Sequence, residues 1–412
     1  MPAMARRQRI TERANERGFM TVDIALIMAA AFFYMAGTMM GTTLIVGYSH
    51  SLGASATLAG TIAGTMNIVS LLCRPWAGRL SDHAPLRRFA MVAIMLLIVA
   101  NAGYAASPDA TSILAARIVN GIGFSGLSVC LAAWLTALIP LDHIGKGMGY
   151  YGMVNALAMA LGPAAGIRLR SQFGYHVTFA VVAAAMIIAL VLVSFAHDDM
   201  ARRNAATAST AGAAMPQADT GLRGFVERTI SVRVIPVAFV FMLFAIPYCA
   251  TQSYIVTYVE ARRLPVDVGL FFPLYAVALL VLRVAMRNLF DRRSFRWFLW
   301  LCAACMMVSL GALTVMRGNG VMLVAAVFMA ASYGIMSSVS QSAAVRLAGS
   351  GHGGRGNGTY YIGLDLGMAL GPIIGGVLYE RVDPAWFYPM LMIAMPAAVI
   401  VYLVAGRARE QR

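Results

Sequence analysis

The sequence has little charge. Only 12% of its 412 residues are Asp, Glu, Lys or Arg, about half the roughly 25% usual in soluble domains. With 60% hydrophobic residues, a soluble fold would present large apolar areas to water, which ordinary surfaces avoid. The same composition excludes a disordered chain. Cysteine is scarce, and Cys73, Cys130, Cys249, Cys302 and Cys305 all fall in or beside apolar runs, which excludes a disulfide-stapled secreted domain. Cys302-x-x-Cys305 has redox or zinc spacing, yet no second pair accompanies it, so it reads as small apolar residues in a helix. The six His sit in loops or at run ends, and no phosphate-binding loop of the Walker type is present. A membrane enzyme and an ATP-driven pump are therefore disfavoured, and neither metal nor cofactor is expected.

What the sequence does have is length without charge. No Asp, Glu, Lys or Arg occurs from Ile24 to Cys73, nor in Phe89–Pro108, Ile118–Leu141, Gly147–Ile167, Ser171–Ala196, Val234–Val259, Val268–Leu282, Trp297–Met316, Gly318–Val345 or Pro384–Gly406. A helix needs about 20 apolar residues to cross the hydrocarbon core. The runs give an all-α integral membrane protein with spans at about 23–48, 55–76, 88–107, 111–138, 147–169, 174–196, 233–259, 266–287, 296–316, 319–346, 355–379 and 384–406. The basic N-terminal stretch precedes a run that feeds directly into a second span, so it reads as a retained first helix rather than a cleaved signal.

Twelve crossings put both ends on one side. The 32 basic residues are all Arg except Lys146, and 23 of them lie in stretches on the side of the termini against six on the other. The positive-inside rule then places both termini in the cytoplasm of a multi-pass protein of the inner (plasma) membrane. The net charge of +15 is thus a topological signal. The expected partner is the lipid bilayer rather than nucleic acid, and the expected state is a monomer.

The chain repeats itself. At an offset of 209, nine of 18 positions match between 149–166 and 358–375, among them Gly162/Gly371, Pro163/Pro372 and Gly166/Gly375. The same frame pairs Arg74/Arg283, Leu80/Leu289, Asp82/Asp291 and Arg87/Arg296. This predicts two pseudo-symmetric six-helix bundles, 1–196 and 233–412. Between them, 197–232 is rich in Ala, Thr, Ser and Gly and reads as a cytoplasmic linker. Parallel repeats of this kind build alternating-access transporters with the substrate site between the halves.

Three motifs carry a family resemblance. Gly78-Arg-Leu-Ser-Asp82 with Arg87 and Arg88, preceded by Arg74-Pro75, resembles the loop signature G-x-L-x-D-R-x-G-R-R of the major facilitator superfamily; His83 and Pro85 depart from it. Arg117-Ile-Val-Asn-Gly121-Ile-Gly123 resembles the family's R-x-x-x-G-x-G motif. Gly367-Met-Ala-Leu-Gly371-Pro372-Ile-Ile-Gly375-Gly376 matches in full the family's G-x-x-x-G-P-x-x-G-G signature of antiporting exporters, and Gly162-Pro163-Ala-Ala-Gly166 matches it in part. Among its members the chain resembles bacterial twelve-helix drug:proton antiporters and arabinose-efflux-permease-like exporters. The resemblance implies a gating role for Arg74, Gly78, Asp82, Arg87 and Arg88, and an influence of Arg117 on proton transfer.

Asp365 is the sharpest single residue. A carboxylate ten residues inside the 355–379 span is unfavourable when charged and unpaired, which points to proton or cation handling or to a structural pairing. Helices 1, 4, 7 and 10 line the cavity in this family, so Tyr34, Trp134, Gln252 and Gln341 are candidate cargo contacts, together with Tyr254, Phe272 and Tyr275. Aromatic walls with few polar groups suit a lipophilic or amphipathic small molecule. The expected function is proton-coupled efflux, with protonation of Asp365 modulated by Arg117. The alternative is a dedicated exporter or importer of one metabolite, such as a sugar, an amino-acid derivative or an opine-like metal chelator.

Overall fold

The computed structural model describes residues 20–139, 143–197, 231–286, 289, 292–349 and 353–410. Most of the 197–232 stretch lies outside the described residues, as do Arg287 and Asp291 and the side chain of Asp82. Among the described residues the chain is helical, with no strand.

Helices start where the sequence supplies caps. Thr21 accepts the Ile24 N–H at the head of α1 (Val22–Ser51), and Ser55 accepts the Leu58 N–H at the head of α2 (Ala56–His83), each satisfying one orphan donor of a first turn. After α3 (Leu86–Ala106), Asp109 and Ser112 form a reciprocal capping box on α4 (Ala110–Leu138). The Ser112 backbone and hydroxyl hold the Asp109 carboxyl below the ordinary carboxylate range.

The next helical stretch extends from Ile144 to Phe195. Its apolar part, Gly147–Phe195, has 49 residues, about 73 Å at 1.5 Å per residue, more than twice the roughly 30 Å hydrocarbon core. It cannot cross once. Gly174 breaks it with φ 78°, a conformation that glycine adopts without strain. The two pieces are α5 (144–173) and α6 (175–195). The eleven apolar helical stretches among the described residues therefore hold the twelve crossings that the spacing of charge predicts.

The second half follows the same order: α7 (Ile235–Ala261), α8 (Phe271–Ala285), α9 (Phe295–Thr314), α10 (Asn319–Ala348), α11 (Gly353–Arg381) and α12 (Pro384–Ala405). Two departures from the predicted spans are local. A single 3-10 turn leads into α8, and α12 starts with a 3-10 turn and breaks after Leu391. In α10 the winding widens to a π-turn at Ala330–Gly334.

The internal repeat is expressed as packing. Gly162 and Gly166 of α5 face Ala36 and Met40 of α1, while Gly371 and Gly367 of α11 face Ile246, Cys249 and Ala245 of α7. At each position a side chain would meet the neighbouring helix, so small residues let the backbones close up. Pro163 and Pro372 sit inside these helices.

Among the described residues the two bundles share a core at one face. One buried cluster, with Ile24, Tyr34, Met66, Leu97 and Trp134, lies wholly within the first six helices. The other combines the last six helices with Leu44, Tyr48, Ala59, Ile62, Tyr104, Ile113 and Phe179. Those seven residues all lie at the ends of their helices away from the start of α1. We call that end the far face, and the end where α1 begins the near face.

Candidate functional site

The seam between the bundles is built chiefly by α2 against α11. Gly60 and Gly64 of α2 face the Pro372 and Ala369 carbonyls of α11, and Gly376 of α11 faces the Ala56 carbonyl. This is helix contact at backbone distance, and it leaves no room for side chains. At the far face the Thr57 N–H donates to the Glu380 carboxylate at 2.7 Å, and the Tyr254 hydroxyl donates to the Ala56 carbonyl at 3.0 Å. An ion pair between Arg170 and Glu260 also crosses the seam, with the Arg170 guanidinium 4.9 Å above the Tyr175 ring. Deeper in, the Gln252 amide approaches the Met39 sulfur at 3.6 Å and the Asn67 amide donates to the Met368 carbonyl at 3.4 Å.

The contact ends on an ion pair. Arg74 of α2 donates to both Asp365 oxygens of α11, from Nε at 2.5 Å and from Nη2 at 3.0 Å. The Asp365 side chain is 2% exposed and that of Arg74 24%. Planar guanidinium and carboxylate match in a two-bond fork, and the Tyr361 ring lies 5.5 Å from the guanidinium carbon, a cation–π arrangement. Tyr34 and Tyr360 lie within electrostatic reach of Asp365, and Tyr151 of α5 within reach of Tyr34 and Tyr361. One turn beyond Arg74, Gly78 faces open space, as do Gly149 and Gly152 at the near end of α5. Among the described residues the seam is closed from the far face to Arg74–Asp365, and at Gly78, one turn beyond, the surface of α2 is uncovered.

Of the residues singled out in the sequence, Tyr34, Arg74 and Asp365 come together. Arg117 does not join them. It is 1% exposed and its Nη2 donates to the Ala63 carbonyl of α2 at 3.1 Å. The partner of Asp365 is Arg74. Arg87 donates to the Ser194 carbonyl within its own bundle, and Arg88 is exposed beside it. Trp134 is sealed in the first bundle's core and Tyr254 in the far-face closure, so neither lines an opening in this conformation. Phe272 packs edge-on to Phe271, and Tyr275 lies 5.4 Å from Tyr248. Gln341 donates to Asn357 at 2.9 Å. No group of three His, Cys, Asp or Glu side chains that could hold a metal is gathered among the described residues.

Some site residues were missed. The π-turn of α10 places Tyr333 flat on Tyr248, with centroids 3.9 Å apart and planes at 7°. Phe241 then stacks between Tyr333 and Tyr360. This aromatic column leads from α8 to the Tyr361 side of the ion pair. Nothing in the 3.6-residue period announces it. Glu380 was also missed, although a carboxylate at a helix end is suited to the positive N-terminus of another helix.

Comparison with known proteins agrees with this architecture. A family model described as Major Facilitator Superfamily matches residues 26–360 and 291–412. A chloramphenicol efflux pump of Mycobacterium tuberculosis is 23% identical over 377 residues, covering 87% of this chain and 86% of that protein. An uncharacterized transporter of the same type from Escherichia coli is 25% identical over 182 residues, 42% of this chain and 45% of that one. Among solved structures, a nucleoside transporter superposes with a TM-score of 0.77 at 10% identity, covering 93% of this chain and all of that chain. A peptide transporter gives 0.72 at 15% identity, covering 93% and 94%.

Proposed function

Since the chain belongs to the major facilitator superfamily, we propose that it is a proton-coupled exporter that exchanges protons for a small lipophilic or amphipathic molecule by alternating access. The observation that carries this reading is the buried Arg74–Asp365 pair, which joins the bundles at the near end of the closely packed stretch of α2 against α11. With the near face in the cytoplasm, as the arginine distribution requires, the conformation described is open to the cell interior.

The pair then acts as a latch. Charged Asp365 binds Arg74 and keeps the empty, unprotonated carrier from turning outward. Protonation removes the negative charge, weakens the fork and frees α2 from α11, so the protonated carrier passes between its two orientations. Cargo entering from the cytoplasm releases the latch by competing for the same seam. Proton entry and cargo exit thereby share one switch. The 23% identity to a chloramphenicol pump over most of both chains supports export and makes chloramphenicol the first cargo to try.

The test uses everted membrane vesicles energised to an acid interior and reported by a quenched dye. Chloramphenicol and a panel of lipophilic cations, sugars and amino-acid derivatives are added singly. Dye recovery with several lipophiles is the expected result. Recovery with one metabolite alone would establish the dedicated transporter instead, and silence across the panel would remove proton antiport.

The far-face pair carries a smaller expectation. Arg170 and Glu260 are solvent-accessible, and such pairs contribute about 0.2–1 kcal/mol. Glu260→Gln is expected to change initial export rates by less than about fivefold, because burial of Gly60, Gly64 and Gly376 and not this pair holds the far face. A larger loss in the vesicle assay would make the exposed pair the principal far-face lock.

A further inference from the structure

At the near-face head of α9 stand three arginines that no protein acceptor holds. We propose that Arg293 and Arg296, with Arg292 beside them, bind the headgroup phosphate of an acidic phospholipid of the near-face leaflet, whose acyl chains lie along the outer side of α9.

Arg292, Arg293 and Arg296 are exposed, and among the described residues none of their guanidinium groups has a carboxylate or carbonyl partner. Topology asks only for basic charge on this side and does not say where it should point. The internal repeat shows the difference. Arg87 aligns with Arg296 in the 209 frame and stands at the equivalent head of α3, where it donates to the Ser194 carbonyl of its own bundle. Its counterpart on α9 is left facing outward.

Below the arginines lies a surface suited to lipid. α9 packs against α10 and α12, and its other side is uncovered. Arg296, Trp300, Ala304, Met307 and Val308 follow one another on one face of the helix and are all exposed, Trp300 by 52%. From Arg296 to Val308 the stripe is about 18 Å long at 1.5 Å per residue. That is close to half of the roughly 30 Å hydrocarbon core, the depth of one leaflet. Phe295 packs against Tyr402 at 5.3 Å, which ties the head of α9 to the near end of α12. There Ile400, Leu403 and Val404 extend the exposed apolar surface.

The charges are set at the right height. The Arg293 guanidinium carbon lies 5.5 Å from the centre of the Trp297 ring, a cation–π contact at the level where indole rings settle, the boundary of headgroup and chain. A phosphate takes a guanidinium in a two-bond fork, and two such groups three positions apart can share one phosphate. A zwitterionic headgroup brings its own cation against this surface, whereas an acidic one does not. A soluble anion would meet the same charges but leave the apolar stripe uncovered, so the stripe is what selects a lipid.

Tryptophan fluorescence of the full-length protein in bilayers of zwitterionic phospholipid tests this. Bromine on an acyl chain quenches a neighbouring indole. Brominated phosphatidylglycerol is expected to reach half-quenching at a mole fraction at least about fivefold lower than brominated phosphatidylcholine, the weight of one arginine at a membrane surface. The preference should disappear in Arg293→Gln/Arg296→Gln, which alters only exposed side chains. It should also disappear in Trp297→Phe/Trp300→Phe, which removes the reporters beside the site. Glycerol phosphate in solution should leave the quenching unchanged. Equal quenching by the two lipids in the parent protein overturns the proposal. A preference that survives either double variant does so too, because acidic lipid then gathers elsewhere on the protein. Loss of the preference on adding glycerol phosphate would make this a soluble-anion site and remove the lipid from it.

Discussion

An Asp365→Asn carrier is expected to reach the membrane and to lose gradient-driven export by about 100-fold or more. The substitution keeps shape and removes the titrating group, so the latch can no longer be set by a proton. It also leaves the Arg74 guanidinium, 24% exposed, without its counter-charge. Breaking a buried pair by removing one partner costs about 3–5 kcal/mol, and partial exposure of Arg74 puts this case at the lower end. A fall in thermal stability is therefore expected beside the transport defect, and the two need separating. The double variant Arg74→Met/Asp365→Leu does this. Replacing both partners by apolar residues of similar size is often neutral or stabilising, so the double variant is expected to regain most of the lost melting temperature. Transport driven by a pH gradient should stay absent, while exchange of cargo down its own gradient persists. A double variant that still exports against a gradient would sink the coupling role of the pair. A single variant with normal export would do so more directly.

Much of the fold was legible because the bilayer dictates it. Charge-free runs of bilayer length are helices that cross, and the 49-residue stretch had to bend near its charged interruption at Arg168 and Arg170. The repeat was legible down to packing: the frame that aligns Gly162 with Gly371 also aligns the surfaces these glycines touch, α1 and α7. The site was legible only in parts. Asp365 stood out by depth, but its partner is 291 residues away across a seam that no local pattern records. The repeat held a clue. Arg74 pairs with Arg283 in the 209 frame, while Asp365 aligns with Ala156, so only one of the two equivalent seams can hold an ion pair. The family resemblance ties Arg117 to proton transfer at the carboxylate, while in this conformation its guanidinium donates to the Ala63 carbonyl, and backbone acceptors leave no mark in sequence. The cargo residues were chosen by helix and not by face of helix. That is why Trp134 lies in a bundle core and Tyr254 in a closure. A π-turn shifts the register by one residue, and with it Tyr333 reaches Tyr248.

Gly376→Val is expected to abolish transport by a different route, with the ion pair's chemistry intact. A Cβ on Gly376 would lie 3.2 Å from the Ala56 carbonyl carbon and 2.7 Å from the Tyr254 hydroxyl. The first obstacle is backbone and cannot rotate away. Gly60 is its counterpart across the contact, with Gly376 Cα 3.1 Å from the place its own Cβ would take. A branched side chain there must push α2 and α11 apart, and the far face then cannot close. The carrier is held in the opposite orientation, open at the far face. Export should fall by about 100-fold, because a two-state cycle stops when either state is excluded by several kcal/mol. Gly78 and Gly149 give the converse case. Each faces open space here, and their helix ends must approach the other bundle when the carrier turns. Valine at Gly149 should fit this conformation and obstruct the other. Labelling from the far face distinguishes the two. A cysteine in place of Thr57, whose N–H is covered by Glu380, should react readily with an impermeant maleimide in the Gly376→Val background. In the Gly149→Val background it should be protected. Equal labelling in both would mean that α2 and α11 do not separate during transport, and the latch would have to be sought elsewhere.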